Sequence, residues 1–241
     1  AREGWTDVVR LLLAAGVTKD AGYPLAAAAA GGHVEIGRLL LADGANKELG
    51  APTPLMAAAA GGHVEIVQQL LTAGANKETG APLAVAAAAG RARVVEVLLA
   101  AGANKEADYP LKAAVASASW SRGRSESVAL LLAAGVNREG TDGEPPLLTA
   151  TRAHNAGAVK LLLAAGANKD SGNPLLAAAT SGDTPIIGLL LDAGANKDLG
   201  GPLAAAAAAG QAEVVQQLLA AGANKDAGWP LHAIAMQGAS C

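Results

Sequence analysis

An all-α fold, a solenoid of stacked helix-turn-helix units, is predicted by three features of the 241 residues. The first is a period. A Pro-Leu step recurs at Pro24, Pro54, Pro82, Pro110, Pro146, Pro174, Pro202 and Pro230, with intervals of 30, 28, 28, 36, 28, 28 and 28. So constant a spacing marks one supersecondary unit stacked on copies of itself, each burying an apolar face that it cannot bury alone. The second is composition: 51% of the residues are hydrophobic, yet aromatics make up 2% and Phe is absent. Ala, Leu and Val must therefore do the packing, and small side chains let helices approach closely in thin, regular layers. The third is punctuation within a unit. Pro202 opens an apolar run, Gly210 breaks it, and a second apolar-periodic segment, 214–221, closes at Gly222. Proline suits a first helical turn, where its missing N–H goes unused, and glycine suits the left-handed position past a helix end.

Taken in order, residues 1–23 begin "AREGWTDVVRLLLAAG", which reads as the second helix of a unit without its first. Seven full units follow at 24–53, 54–81, 82–109, 110–145, 146–173, 174–201 and 202–229, making with the two ends a single solenoid. In each, a proline-led helix, a turn, a Val- and Leu-rich helix and a short polar connector are expected. Residues 230–241 read as a first helix without its second. Neither end has the polar outer face of a terminal unit, as expected of a piece of a longer chain. Head-to-tail docking of the two half units, building rings or filaments, is the competing expectation.

The stretch "PLMAAAAGGHVEIVQQLLTAGAN", 54–76, resembles the ankyrin repeat. Thr53-Pro54-Leu55, Ala58-Ala59, Gly62-His63 and Gly74-Ala75 fall in the family's register, and similar registrations run along the whole chain. The resemblance implies an ankyrin-type solenoid with its first helices on a concave side, and a protein-binding scaffold without chemistry of its own. The sequence also departs from the family. Ankyrin units are about 33 residues long, and most of these are 28. The deletion falls in the connector, from Gly74 to Pro82, where the family forms a projecting two-stranded β-hairpin finger, so a truncated finger is expected. The threonine before the proline survives only as Thr53; Tyr23, Ala81, Tyr109, Pro145, Asn173, Gly201 and Trp229 replace it elsewhere. A lost hydroxyl cap costs about 1 kcal/mol, and residues of the Asn173 kind are expected to cap in its stead.

Each connector repeats a trio of Asn, a base and an acid, as in Asn76-Lys77-Glu78 and Asn196-Lys197-Asp198. One reading is a charged ladder for an extended partner. The favoured reading is that asparagine bonds the turn backbone while adjacent opposite charges keep an edge soluble, because identical units cannot specify one partner. Specificity is expected where the repeat is broken. The unit 110–145 is eight residues longer than the 28-residue repeat, with "SASWSRGRSES" between its helices. Trp120 with Arg122 and Arg124, and Arg152 nearby, form a candidate partner-binding knob, since Trp and Arg are common interface anchors; the alternative is that Trp120 folds back over the insertion's own stem. Tyr23, Tyr109 and Trp229, just before prolines, are further candidates that either grip a partner or shield the alanine core.

Other function classes are disfavoured. A formal net charge of −3 with 18 basic and 21 acidic residues provides no basic stripe for nucleic acid. His33, His63, His154 and His232 fall at register positions of the repeat, and no metal-ligand spacing, nucleophile motif or phosphate loop is present. No enzyme activity and no cofactor are therefore expected. Alanine runs such as 25–30 are too short to span a bilayer, and no leader-like segment opens the residues, so no membrane insertion is expected. Cys241, the one cysteine, fits a reducing compartment; an intracellular, cytoplasmic protein is expected, with an organelle left open. The partner is read as a protein, bound through the concave face and the insertion in the fourth full unit. The alternative function is a structural spacer or linker subunit of a large assembly, with contacts at its ends.

Overall fold

A computed structural model describes residues 2–117, 119–140 and 143–238. Every regular element among them is an α-helix. The proline-led helices are α2 (Pro24–Gly31), α4 (Pro54–Gly61), α6 (Pro82–Ala88), α8 (Pro110–Val115), α10 (Pro146–Arg152), α12 (Pro174–Ser181), α14 (Pro202–Ala208) and α16 (Pro230–Gly238). The second helices are α1 (Arg2–Ala14), α3 (Val34–Ala42), α5 (Val64–Thr72), α7 (Ala92–Ala100), α9 (Arg122–Ala133), α11 (Ala156–Ala164), α13 (Thr184–Asp192) and α15 (Ala212–Ala220). The expected helix-turn-helix order is thus present in every unit. No described connector forms a strand, so the shortened fingers are turns and not hairpins.

The chain divides into two compact units: Ala1–Ala114 with Arg122–Val136, and Val115–Ser121 with Asn137–Cys241. In the first, α2, α4 and α6 pack in one layer and α1, α3, α5, α7 and α9 in another. In the second, α10, α12, α14 and α16 form one layer and α11, α13 and α15 the other. Each repeat gives the core the same few side chains, such as Leu55, Ala58, Ala59, Ile66, Val67 and Leu70, all buried. Alanine on the first helices and branched aliphatics on the second leave room for one layer to close on the other.

Connector length decides how each first helix starts. Where the proline lies eight positions after the glycine that ends the preceding helix, as from Gly74 to Pro82, the residue before the proline is left-handed. Tyr23, Ala81, Tyr109, Asn173 and Trp229 all stand there at φ 51–57°, and Gly201 at 70°. The longer connectors before Pro54 and Pro146 instead arrive extended, with Thr53 at φ −63° and Pro145 at −60°. Side-chain capping needs a non-helical N-cap backbone at negative φ, typically near the extended region. Accordingly Thr53 Oγ1 accepts a hydrogen bond from Met56 N at 3.3 Å. Asn173 makes no side-chain cap, contrary to the sequence expectation, because its left-handed backbone turns the amide away from the helix end. Two further side-chain caps lie at the starts of second helices: Asn155 accepts from Ala158 N at 2.9 Å and Asp183 from Ile186 N at 3.1 Å.

Candidate functional site

The connector trio is a joint between neighbouring repeats. Each Asn Oδ1 accepts from the backbone N–H two residues on, as from Asn76 to Glu78 (2.9 Å) and from Asn196 to Asp198 (3.1 Å), closing the turn as the sequence suggests. The acid reaches forward one repeat and accepts from the next asparagine's backbone N–H. Glu48 does so to Asn76 (2.7 Å), Glu78 to Asn104 (2.9 Å), Asp170 to Asn196 (2.7 Å) and Asp198 to Asn224 (2.7 Å). The lysine donates forward to a carbonyl at the end of the next second helix: Lys77 to Ala101 (2.8 Å), Lys105 to Ala134 (2.5 Å) and Lys197 to Ala221 (2.9 Å). Helix ends leave carbonyls without intrahelical partners and carry partial negative charge, so an ammonium there serves both needs. These side chains fasten the stack. A sequence reading sees adjacent Lys and Glu as partners of each other, whereas both face the following repeat.

The turn between helices has its own joint. The residue after the glycine turn reaches back to the preceding repeat: His63 Nε2 lies 3.1 Å from Ala30 O, Arg91 Nε donates to Ala60 O (3.0 Å) and Arg124 Nε donates to Ala88 O (2.8 Å). In the second unit Asn155, 1% exposed, fills this role and donates to the Val115 and Ser117 carbonyls at 3.3 and 2.9 Å. His154 Nδ1 meets Asp183 Oδ2 at 3.0 Å. Sequence reading missed Arg91 and Asn155; aligning units on their second helices, with the insertion set aside, reveals the shared position.

Trp120 and Arg152 belong to the second unit, Arg122 and Arg124 to the first. Trp120 is half-buried with its indole against Gly157 of α11; a Cβ there would overlap ring atoms Cδ1 and Nε1. Arg152 pairs with Glu144 at 2.8 Å. Arg122 donates from Nε to Glu126 at 2.9 Å and leaves 93% of its side chain exposed. Tyr23, Tyr109 and Trp229 are exposed by 51, 43 and 73%; Trp229 meets the His232 ring edge-on with centroids 6.3 Å apart.

Among the described residues no group of three or more His, Cys, Asp or Glu side chains could hold a metal ion. Nor is any described helix long and apolar enough to cross a membrane. Among the described residues one carboxylate shift is resolved, and it is superficial: a hydrogen bond from Arg38, with the added charge of Arg10, holds the Glu35 carboxyl below the usual glutamate range. The geometry offers surfaces for contact and fixed joints between repeats.

The family model for ankyrin repeats, in three copies, matches residues 47–109 and 113–200. The chain belongs to the ankyrin repeat family. Ankyrin repeats are in general protein–protein interaction modules. Among solved structures, the human ASB11 ankyrin repeat domain is 32% identical with a TM-score of 0.73, the match covering 83% of this chain and 98% of that one. An ankyrin repeat domain from Acinetobacter baumannii is 29% identical with a TM-score of 0.60, covering 72% and 99%. The ankyrin repeat domain of Bcl-3, at 24% identity and a TM-score of 0.68 over 83% and 99%, shares the fold. No curated protein matches the sequence. Within this ankyrin repeat chain, the connectors depart from the family's hairpin fingers while the helix pairs keep its register.

Proposed function

We propose that this ankyrin repeat chain is a non-catalytic scaffold that binds a partner protein, with Tyr23, Tyr109 and Trp229 among its anchors and the insertion of the unit 110–145 as a further contact. The observation behind this reading is the placement of the three aromatics. A left-handed backbone costs an L-residue about 1–2 kcal/mol, and exposure forgoes the apolar burial that would offset it. Asn173 and Gly201 occupy the same register position with side chains suited to that backbone. The fold therefore gains little from a large ring there beyond partial burial and the edge contact of Trp229 with His232, whereas an interface gains more, because Tyr and Trp supply wide contact area at small entropic cost.

The test compares affinity capture from the native source by the wild-type chain and by the variant Tyr23→Asn, Tyr109→Asn, Trp229→Gly. Loss of a specific partner at an unchanged thermal midpoint supports the reading. A second variant, Trp120→Ala with Arg122→Ala and Arg124→Ala, asks the same of the insertion. The spacer reading draws on the connector side chains being occupied in joints. Retention of every partner by both variants would favour it.

A further inference from the structure

In the first unit Gly90, which follows α6, lies against Gly123 in the first turn of α9. A Cβ on Gly90 would stand 2.9 Å from Arg124 N and 3.0 Å from its Cγ, and one on Gly123 would overlap the Gly90 carbonyl. Four arginines gather at this contact, Arg91 and Arg93 on one side, Arg122 and Arg124 on the other. The Nε bonds of Arg91 and Arg124 to Ala60 and Ala88 fix their stems along consecutive turns. Arg93 and Arg122 expose 86 and 93% of their side chains. Within segments 90–96 and 122–126 the carboxylates are Glu96, 3.8 Å from Arg93, and Glu126, on Arg122, so in these two segments guanidinium groups outnumber carboxylates. Repeat packing does not demand this charge. The register position of Arg91 and Arg124 is filled in the second unit by Asn155, Asp183 and Gln211, and that of Arg93 by Gly157, Pro185 and Glu213.

We infer that this arginine cluster docks an acidic segment of a partner protein. Planar guanidinium forks match carboxylates geometrically, and exposed stems let several engage one extended chain with little desolvation. Binding is then electrostatic, and it weakens as salt rises. The cluster includes none of the exposed aromatics but shares Arg122 and Arg124 with the insertion contact proposed above, so the inference rests on that part of the scaffold reading and deepens it.

The experiment measures fluorescence anisotropy of a labelled peptide of alternating Glu and Ser added to the full chain, beside its Gln-for-Glu counterpart and a single-stranded oligonucleotide of equal charge. The Glu peptide is expected to bind and the Gln peptide not. The charge reversals Arg93→Glu and Arg122→Glu should weaken binding about tenfold or more, with Lys160→Glu on α11 as wild type. The neutral pair Arg93→Gln and Arg122→Gln, at an unchanged thermal midpoint, should weaken it less, which separates lost charge from lost fold. The aromatic triple variant should retain the peptide, so the aromatic anchors and the arginine cluster fail independently. Equal binding of both peptides, absence of binding, or an equal loss in Lys160→Glu overturns the inference. So does tighter binding of the oligonucleotide through the same arginines, which would place nucleic acid there.

Discussion

Ala81 stands at φ 53° and ψ 48°, with a Cβ in a backbone region that favours glycine. Ala81→Gly should raise the free energy of unfolding by about 1 kcal/mol, read from the urea midpoint at constant slope. Thr53, extended and capping, should respond oppositely: Thr53→Ala loses about 1 kcal/mol. Glycines inside second helices divide in the same way. Gly37 on α3 faces only Gln69 Oε1, 3.6 Å from an added Cβ, so Gly37→Ala should stabilise by about 0.5–1 kcal/mol. Gly157→Ala must push the Trp120 indole away, and a red-shifted tryptophan emission with a lowered midpoint is the expected signature. Glu35 adds a pH effect. Its carboxyl is held below the usual range by Arg38, so whatever its pairing contributes is present above the ordinary glutamate pKa and lost as pH falls through the lowered one. In Arg38→Gln, carboxyl NMR should show Glu35 titrating nearer its ordinary value.

At the scale of elements, the helices were legible in the sequence and the connectors only half so. Proline starts, glycine stops and apolar periodicity mark the helices other than α9, because those signals act within a few residues. The start of α9 is missed: Arg122–Ser127, read as part of the turn, are its first turns. The turn-closing role of Asn76 is equally local. The left-handed arrival at Tyr23 or Trp229 was not legible, since it follows from how an eight-position connector must bend to re-enter the stack. The partners of Glu78 and Lys77 lie 26 and 24 residues on, a distance that periodicity suggests without assigning atoms. The candidate knob fared likewise: Trp120 and Arg124 were visible as unusual residues, but Gly157 and Ala88, which receive them, are unremarkable in sequence. The joint is testable. Asp198→Ala deprives Asn224 N of its acceptor and should cost about 1 kcal/mol, with faster amide exchange at Asn224.

Over the whole molecule, stability should behave as a sum of repeats and their nearest-neighbour joints. Leu70→Ala, at a fully buried position, should cost about 2–5 kcal/mol. Hydrogen exchange should rise first in α4 to α7, with α12 to α15 the least affected. Uniform acceleration along the chain would show that the repeats do not act locally.

The forward-reaching trio has a consequence for how such a chain can change length. In these joints the acid and base near the end of one repeat meet the amide and carbonyl near the end of its successor, so a 28-residue segment is compatible with its own copy. In-frame duplication or excision of 174–201 by unequal recombination preserves each fastening. The coding sequence can therefore lengthen or shorten without inventing a new interface, and the joints themselves supply the template for growth.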